Sequence, residues 1–259
     1  MPTIEQNLSL WAGYDWKQRG EEWSSEWGGS ESQWRWSLLP RVAAYLPAAA
    51  ILEIGPGCGR WTHYLKGNCK RLVGVDLSQN CIQYCRQRFA AHPHLTFYVN
   101  DGKSLAMIPD ESVDFAFSFD SLVHAEADVL EAYLGELARK LKRDGAGFIH
   151  HSNLGAYHRY YAMGRMIPGR GLLQRVGLVD NDGLRALSMT ADLFAAYARR
   201  VGLECISQEI INWSSKRLID CFSIIAPLTS KRARPNGVLR NPSFMREARY
   251  IRRLSRLYS

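Results

Sequence analysis

The stretch Ile51–Arg60, "ILEIGPGCGR", limits what this chain can fold into more than any other. An apolar run holding one acid, Glu53, feeds directly into Gly55, Gly57 and Gly59, spaced two apart. A strand that enters a helix through glycines brings backbone N–H groups against a ligand at the positive end of the helix dipole. The spacing is G-x-G-x-G and not the G-x-G-x-x-G of dinucleotide-binding turns. Alone it fits a tight strand–helix turn as well as a ligand loop. Asp76 adds weight, because it ends the next apolar run, "RLVGVD". A carboxylate there can accept two hydrogen bonds from a ribose diol.

The surrounding pattern predicts an α/β doubly wound sheet. Strand signals at Ala50–Ile54, Arg71–Asp76, Leu95–Val99, Val113–Phe119 and Ala146–His150 alternate with helical ones at 60–66, 78–91 and 128–142. Strands separated by helices imply parallel βαβ units with right-handed crossovers. Two further strand-like runs, 204–213 and 218–226, are joined by "SSKR", short enough for an antiparallel pairing. The expected sheet is therefore mostly parallel with an antiparallel last strand. Asp101 and Gly102 follow the third strand, and "FDSLVH" follows the fourth. Candidate contacts thus gather at the carboxyl ends of the strands, where open α/β sheets bind ligands.

Three regions lie outside this core. Trp11, Trp16, Trp23, Trp27, Trp34 and Trp36, six of the eight tryptophans, precede residue 37. They predict a helical, Trp-rich cap over residues 1–47, with a helix from Glu31 to Leu46. Residues 48–229 form the main domain, and a Gly-, Tyr- and Arg-rich insertion after strand five, about 155–188, reads as a substrate lid. Residues 230–259 hold nine Lys/Arg and one Glu, which equals the net charge of +8 of the entire chain. The basicity belongs to this tail. Within it Phe244, Ala248, Ile251, Leu254 and Tyr258 recur at helical spacing, with Arg246, Arg249, Arg252, Arg253 and Arg256 largely outside that stripe. That is a basic amphipathic helix, suited to peripheral contact with a membrane surface. Packing on the domain or on a second subunit in an oligomer, and nonspecific RNA binding, are the other readings of the same pattern.

No run reaches the roughly 18–20 apolar residues that span a bilayer, and the first residues lack the basic-then-apolar order of a secretory signal. A cytoplasmic placement is expected, with the tail at the inner membrane surface. The six cysteines, at 58, 69, 81, 85, 205 and 221, lack metal-site spacing and read as free thiols.

Taken together, these residues resemble the class I S-adenosylmethionine (SAM) dependent methyltransferases. "ILEIGPGCG" is similar to their first motif, "VDLS" to the second, "NDGKSL" to the third and "FSFDSLVHAE" to the segment after strand four. The resemblance covers about residues 48–226 and implies a Rossmann-like fold. It implies SAM as cofactor, S-adenosylhomocysteine as product, and no metal. Glu53 would lie beneath the methionine moiety and help hold its ammonium. Gly55, Gly57 and Gly59 would let the backbone approach, Asp76 and Leu77 would flank the ribose, Asp101 and Gly102 would meet the adenine, and Phe119 would line the same site. A nicotinamide-dependent oxidoreductase fits less well, because the glycine spacing differs and the tail strands are antiparallel. A noncatalytic nucleotide- or RNA-binding relic of the fold leaves the histidines without a role.

Methyl transfer from a sulfonium is an in-line displacement, so the protein must position the acceptor and exclude water. A hydroxyl acceptor gains from a general base, and histidine serves near neutral pH. His124, after strand four, is the leading candidate, in the place where sugar O-methyltransferases of this superfamily are most similar. His150 and His151 end strand five and point to opposite faces; His151, nearer the strand end, is expected to line the pocket. Asp120 is expected to orient a histidine or touch substrate. The Asn/Asp-Pro-Pro-Tyr/Phe run of nucleic-acid amino-methyltransferases is absent, so nucleic acid is not the expected acceptor. The aromatic cap suits a glycan or other polyhydroxylated small molecule, as in polysaccharide biosynthesis, with a phenolic or lipid-like small molecule as the alternative.

Overall fold

Residues 3–165, 180, 183–213 and 215–258 are described by the computed structural model. Eight strands form one sheet: β1 (Ala48–Ile54), β2 (Cys69–Asp76), β3 (Leu95–Val99), β4 (Val113–Ser118), β5 (Leu141–Ser152), β6 (Leu203–Ile211), β7 (Asp220–Pro227) and β8 (Gly237–Asn241). Their order is β3-β2-β1-β4-β5-β7-β6-β8. The five strands β1–β5 pair in parallel, and β7 runs antiparallel to both β5 and β6. This is the expected doubly wound, Rossmann-like sheet. β1 is an interior strand between β2 and β4, and every residue from Ala50 to Ile54 is buried, as parallel strands covered on both faces require. The order reverses between β1 and β4, which opens a crevice at their carboxyl ends.

The α-helices among the described residues are α1 (Ile4–Ala12), α2 (Ser30–Gln33), α3 (Leu39–Val42), α4 (Thr62–Leu65), α5 (Gln79–Arg88), α6 (Ala127–Lys140), α7 (His158–Arg165), α8 (Ala191–Arg200) and α9 (Phe244–Tyr258). The helix expected over 31–46 forms as one uninterrupted helical run over 30–45 that widens between α2 and α3 into a π turn at Trp34–Leu38, where the Leu39 N–H donates to Trp34 O. Pro40 has no N–H to continue the ordinary ladder, which widens just before it. One sheet face packs on α6 and α8 through Leu130, Leu134, Phe194 and Ala198. The other is covered by Trp27, Trp34, Trp61 and Phe244 around Phe115, Phe117 and Phe148.

β8 was not anticipated. It is a five-residue edge strand in the basic segment, almost entirely exposed, and carries no alternating apolar signal. The tail helix forms as its periodicity predicts, but its apolar stripe is largely occupied. Phe244, Met245 and Ala248 are buried, and Phe244 packs on Trp27 and Trp213. Ser32 Oγ donates to Ser255 Oγ at 3.0 Å, tying the helix to the N-terminal region. Of the expected stripe, Leu254 and Tyr258 remain exposed. No helix among the described residues is long and apolar enough to cross a membrane. Much of the expected lid, residues 166–179 and 181–182, lies outside the described residues.

Candidate active site

A cavity opens at the carboxyl ends of β1, β2 and β4, where open α/β sheets bind ligands. Gly55, Gly57, Asp76, Leu77, Gly102 and Phe119 line it, together with Asp120 and His124. Gly55 and Gly57 both hold positive φ, +73° and +55°, which non-glycine residues rarely adopt. A Cβ on Gly55 would overlap the Ser121 side chain, and one on Gly57 would sit 3.2 Å from the Trp16 ring. The turn is therefore restricted to glycine both by backbone and by space. Asp76 is bound into the same unit: Oδ2 accepts the Gly57 N–H at 2.9 Å and Oδ1 the Ser78 N–H at 2.8 Å. Burial nevertheless raises its carboxyl above the usual range.

Three expected contacts do not reach the cavity. Glu53 is buried behind the turn, where Thr62 Oγ1 donates to Oε2 at 2.5 Å and Oε1 has no partner. Desolvation pushes its carboxyl up to about 7. Gly59 faces Phe89 and Cys85 instead. Asp101 is exposed, and its Oδ1 accepts from the backbone of Lys103 and Ser104. Those two N–H groups hold its carboxyl below its ordinary range. A side chain that follows a strand end is free to cap its own loop, and Asp101 does so.

The cavity still fits a SAM-like ligand on its own terms. It has a glycine cradle, a ring of apolar lining from Leu77, Val129 and Phe119, and a carboxylate at the end of β2. Behind the cradle lies a buried acid with an orphaned oxygen, the kind of atom that a bound cation or water would satisfy. Among the described residues no group of three or more His, Cys, Asp or Glu side chains converges as a metal site.

His124 lies on the cavity wall. Its Nδ1 is 3.1 Å from the Leu184 carbonyl oxygen, which can only accept, so Nδ1 carries the proton and Nε2 has a lone pair. Desolvation, followed by the Arg185 charge, lowers the imidazole below its ordinary range, so the ring is neutral at pH 7. Trp11 stands against it with ring centroids 5.2 Å apart, and Asn7 Nδ2 donates to the His124 carbonyl.

His151 departs from expectation. Alternation along β5 turns it away from the cavity, face to face with Phe194 at 4.0 Å and 9°. Nδ1 donates to Ser152 O and Nε2 accepts from Ser223 Oγ; burial drops its value to about 3. It is a core histidine. His150 points to the opposite face, packed against Phe119 and Trp213, and is fully buried behind the wall. Its Nδ1 accepts the Asp120 N–H at 3.1 Å, which holds Asp120 at φ +60°.

Arg60 escaped the reading from sequence. It is 5% exposed, donates to Asp120 Oδ2 at 2.9 Å and to Ser24 Oγ at 3.0 Å, and lies 4.5 Å from the Trp61 ring centroid. Its position directly after the glycine turn was the available signal. The N-terminal segment also supplies wall: Ile4, Asn7, Trp11, Trp16 and Trp23 close one side of the cavity. Trp11, Tyr14, Trp16 and Trp23 pack on one another at 5.1–6.3 Å.

Comparison with known proteins agrees with this geometry. Residues 51–145 match a family model described as a methyltransferase domain. Over 68 residues the chain is 41% identical to ribosomal RNA small subunit methyltransferase A of Geobacter sulfurreducens, covering 25% of each protein. Over 118 residues it is 30% identical to phosphoethanolamine N-methyltransferase 1 of Triticum aestivum, covering 44% of this chain and 24% of that protein. The matched segments thus span about a quarter of these curated relatives' length. Among solved structures, an S-adenosylmethionine-dependent methyltransferase from Clostridium acetobutylicum is 16% identical. The match covers 83% of this chain and 96% of that one, with a TM-score of 0.56.

Proposed function

We propose that this chain, which carries a class I SAM-dependent methyltransferase domain, methylates a hydroxyl of a glycan or similarly polyhydroxylated acceptor. The observation that carries the reading is His124: a neutral imidazole on the wall of the cavity that holds Asp76 and the glycine turn, with Nδ1 tied to Leu184 and the Nε2 lone pair available. Bound SAM would supply an electrophilic methyl group, its sulfur–carbon bond breaking to leave S-adenosylhomocysteine as the acceptor oxygen takes that carbon. His124 Nε2 would accept the hydroxyl proton. Such a base contributes about 10²–10⁴-fold. Gly55, Gly57, Asp76, Leu77, Gly102 and Phe119 would hold the cofactor, while Glu53, Gly59 and Asp101 act from behind or beside the turn.

The faces of Trp11, Trp16 and Trp23 and the Arg60–Asp120 pair supply the apolar planes and polar edges that a sugar ring needs. A phenolic ring would meet the same planes, so a phenolic or lipid-like acceptor is the second reading. The relatives named for ribosomal RNA and phosphoethanolamine align only over part of their length, and their acceptors are not carried over. The discriminating experiment compares glycans and small-molecule extracts of cells with and without the gene by mass spectrometry, then repeats the transfer with purified protein and SAM. A methyl-mass shift on a glycan supports the proposal; a shift confined to small aromatic or lipid species transfers it to the second reading.

The tail belongs to the same proposal. α9 directs Arg246, Arg249, Tyr250 and Arg253 outward, and this basic face would rest on anionic headgroups of the inner leaflet, bringing the enzyme to a lipid-linked acceptor. Electrostatic contact replaces insertion of the apolar stripe, because that stripe packs on the domain.

A further inference from the structure

We propose that the buried Arg185–Asp220 ion pair is a positioning device for His124, anchoring the Leu184 carbonyl that determines which imidazole nitrogen carries the proton. This rests on the reading of His124 as the base. Arg185 follows Leu184 directly in the chain. Its Nε and Nη2 donate to the two oxygens of Asp220 at 2.6 and 2.7 Å, and Nη1 folds back onto Gly183 O at 3.2 Å. Asp220 has no exposed surface and opens β7, where it pairs with Ser152 of β5 and Ile211 of β6. The fork therefore moors the 183–186 segment to the sheet.

Further bonds lock the segment in place. Ala186 N donates to Val123 O at 3.0 Å, and Ser152 Oγ donates to Ala186 O at 2.7 Å. Leu184 itself adopts φ +60°, a region a leucine enters only when its surroundings over-determine it. The conformation aims its carbonyl at His124 Nδ1. Were that acceptor displaced, nothing in this contact would keep the proton on Nδ1, and an imidazole protonated at Nε2 cannot accept a proton there.

Stability alone is a weak reason for such a pair. Two charges buried this deeply lose their hydration, and well-packed apolar residues commonly hold such a site as firmly. The same carboxylate also lies 3.3 Å from His150 Nε2, and His150 Nδ1 receives the Asp120 N–H. One anion thus sits behind both cavity-wall groups, His124 through Leu184 and Asp120 through His150.

The test uses full-length protein with ¹⁵N-labelled histidine and no ligand, recording long-range ¹H–¹⁵N correlations. The His124 signal is assigned by its loss in His124→Gln. Wild-type protein should show His124 protonated on Nδ1. In Arg185→Lys, which keeps the charge and loses the fork, a substantial Nε2–H population should appear. Turnover should fall on the order of 10- to 100-fold, as when comparable orienting partners are removed, while KM for SAM stays within twofold. If Arg185→Lys does not fold, the double variant Arg185→Gln/Asp220→Asn, which removes both buried charges together, takes its place with the same expected shift. An unchanged Nδ1–H tautomer in either folded variant overturns the proposal. His124→Ala separates the parent reading: full turnover there would remove the base role, while the tautomer result still decides the anchoring.

Discussion

The Gly57 N–H donates to Asp76 Oδ2 at 2.9 Å, so the glycine turn after β1 and the acid ending β2 act as one unit. Replacing Asp76 therefore loosens the turn as well as removing the cofactor contact proposed for it. Asp76→Ala should weaken SAM binding about 10- to 100-fold, the range that one or two charge-assisted hydrogen bonds represent. Asp76→Asn, which keeps an acceptor, should fall between the two. Isothermal titration with SAM and S-adenosylhomocysteine checks this. Binding of NAD in place of SAM would return the chain to the oxidoreductase reading.

The turn itself predicts a sharper effect. Gly55→Ala must place a Cβ into the Ser121 side chain while holding φ at +73°. The backbone cost alone is about 1–2 kcal/mol, and the overlap must be relieved by moving Ser121 or the loop. The variant should melt several degrees lower and lose measurable SAM affinity in the same titration. Ser121→Gly on that background relieves the overlap without relieving the backbone, and should restore part of the melting temperature.

How far the sequence reached is clearest at β5. Its apolar run predicted a strand and its alternation predicted that His150 and His151 face opposite ways, and both hold. Which face meets the cavity depends on β7 and α8, whose register a single sequence does not display. Phe194 covers one face and Phe119 the other, so neither histidine lines the cavity. His124 and Asp76 were legible because strand ends lie at the crevice wherever the sheet goes. Arg60 and the Leu184 carbonyl were not, since their importance comes from contacts made across 60 residues. Asp101 follows β3 as expected, but its hydrogen bonds to the backbone of its own loop are local and cannot be told from ligand contacts by spacing.

The two histidines should separate experimentally. His124→Ala should reduce turnover by roughly 10²–10⁴-fold with SAM affinity near wild type. His151→Ala leaves Ser223 Oγ without its acceptor and a void against Phe194, so it should cost about 2–4 kcal/mol of stability. Turnover per folded molecule should stay within a few-fold. Denaturant unfolding and single-turnover rates on the two variants decide it; a selective catalytic loss in His151→Ala would move the base to β5.

Glu53 gives a pH prediction. Its carboxyl is raised from 4.5 to about 7 in the fold, desolvation being the largest cause. Between those values the folded state binds more protons than the unfolded one, so stability from this group falls as pH rises from about 4.5 to about 7. The loss is of the order of a few kcal/mol. Glu53→Gln should remove that slope, becoming more stable than wild type at pH 8 relative to pH 5. Urea midpoints for the ligand-free proteins at both values measure it. Parallel pH dependence in the two proteins would mean the carboxyl titrates normally.

Membrane contact through the tail must be tested without cutting the tail off. A chain ending at Pro227 loses Phe244, Met245 and Ala248, all buried, and exposes Trp27 and Trp213. It should therefore melt lower for reasons unrelated to lipid. Charge reversal on the outward face avoids this, because Arg246, Arg249 and Arg253 are exposed. Each basic residue near an anionic surface is worth about 1 kcal/mol, so Arg246→Glu/Arg249→Glu/Arg253→Glu should lose at least a hundredfold in vesicle affinity. Its melting temperature should stay close to wild type. In flotation with phosphatidylserine-containing vesicles, the wild-type protein should rise with the lipid at low salt and less at 0.5 M salt, as screening shortens the reach of the charges to about 4–5 Å. Equal flotation of wild-type and reversed proteins, or none of either, would assign α9 to packing alone.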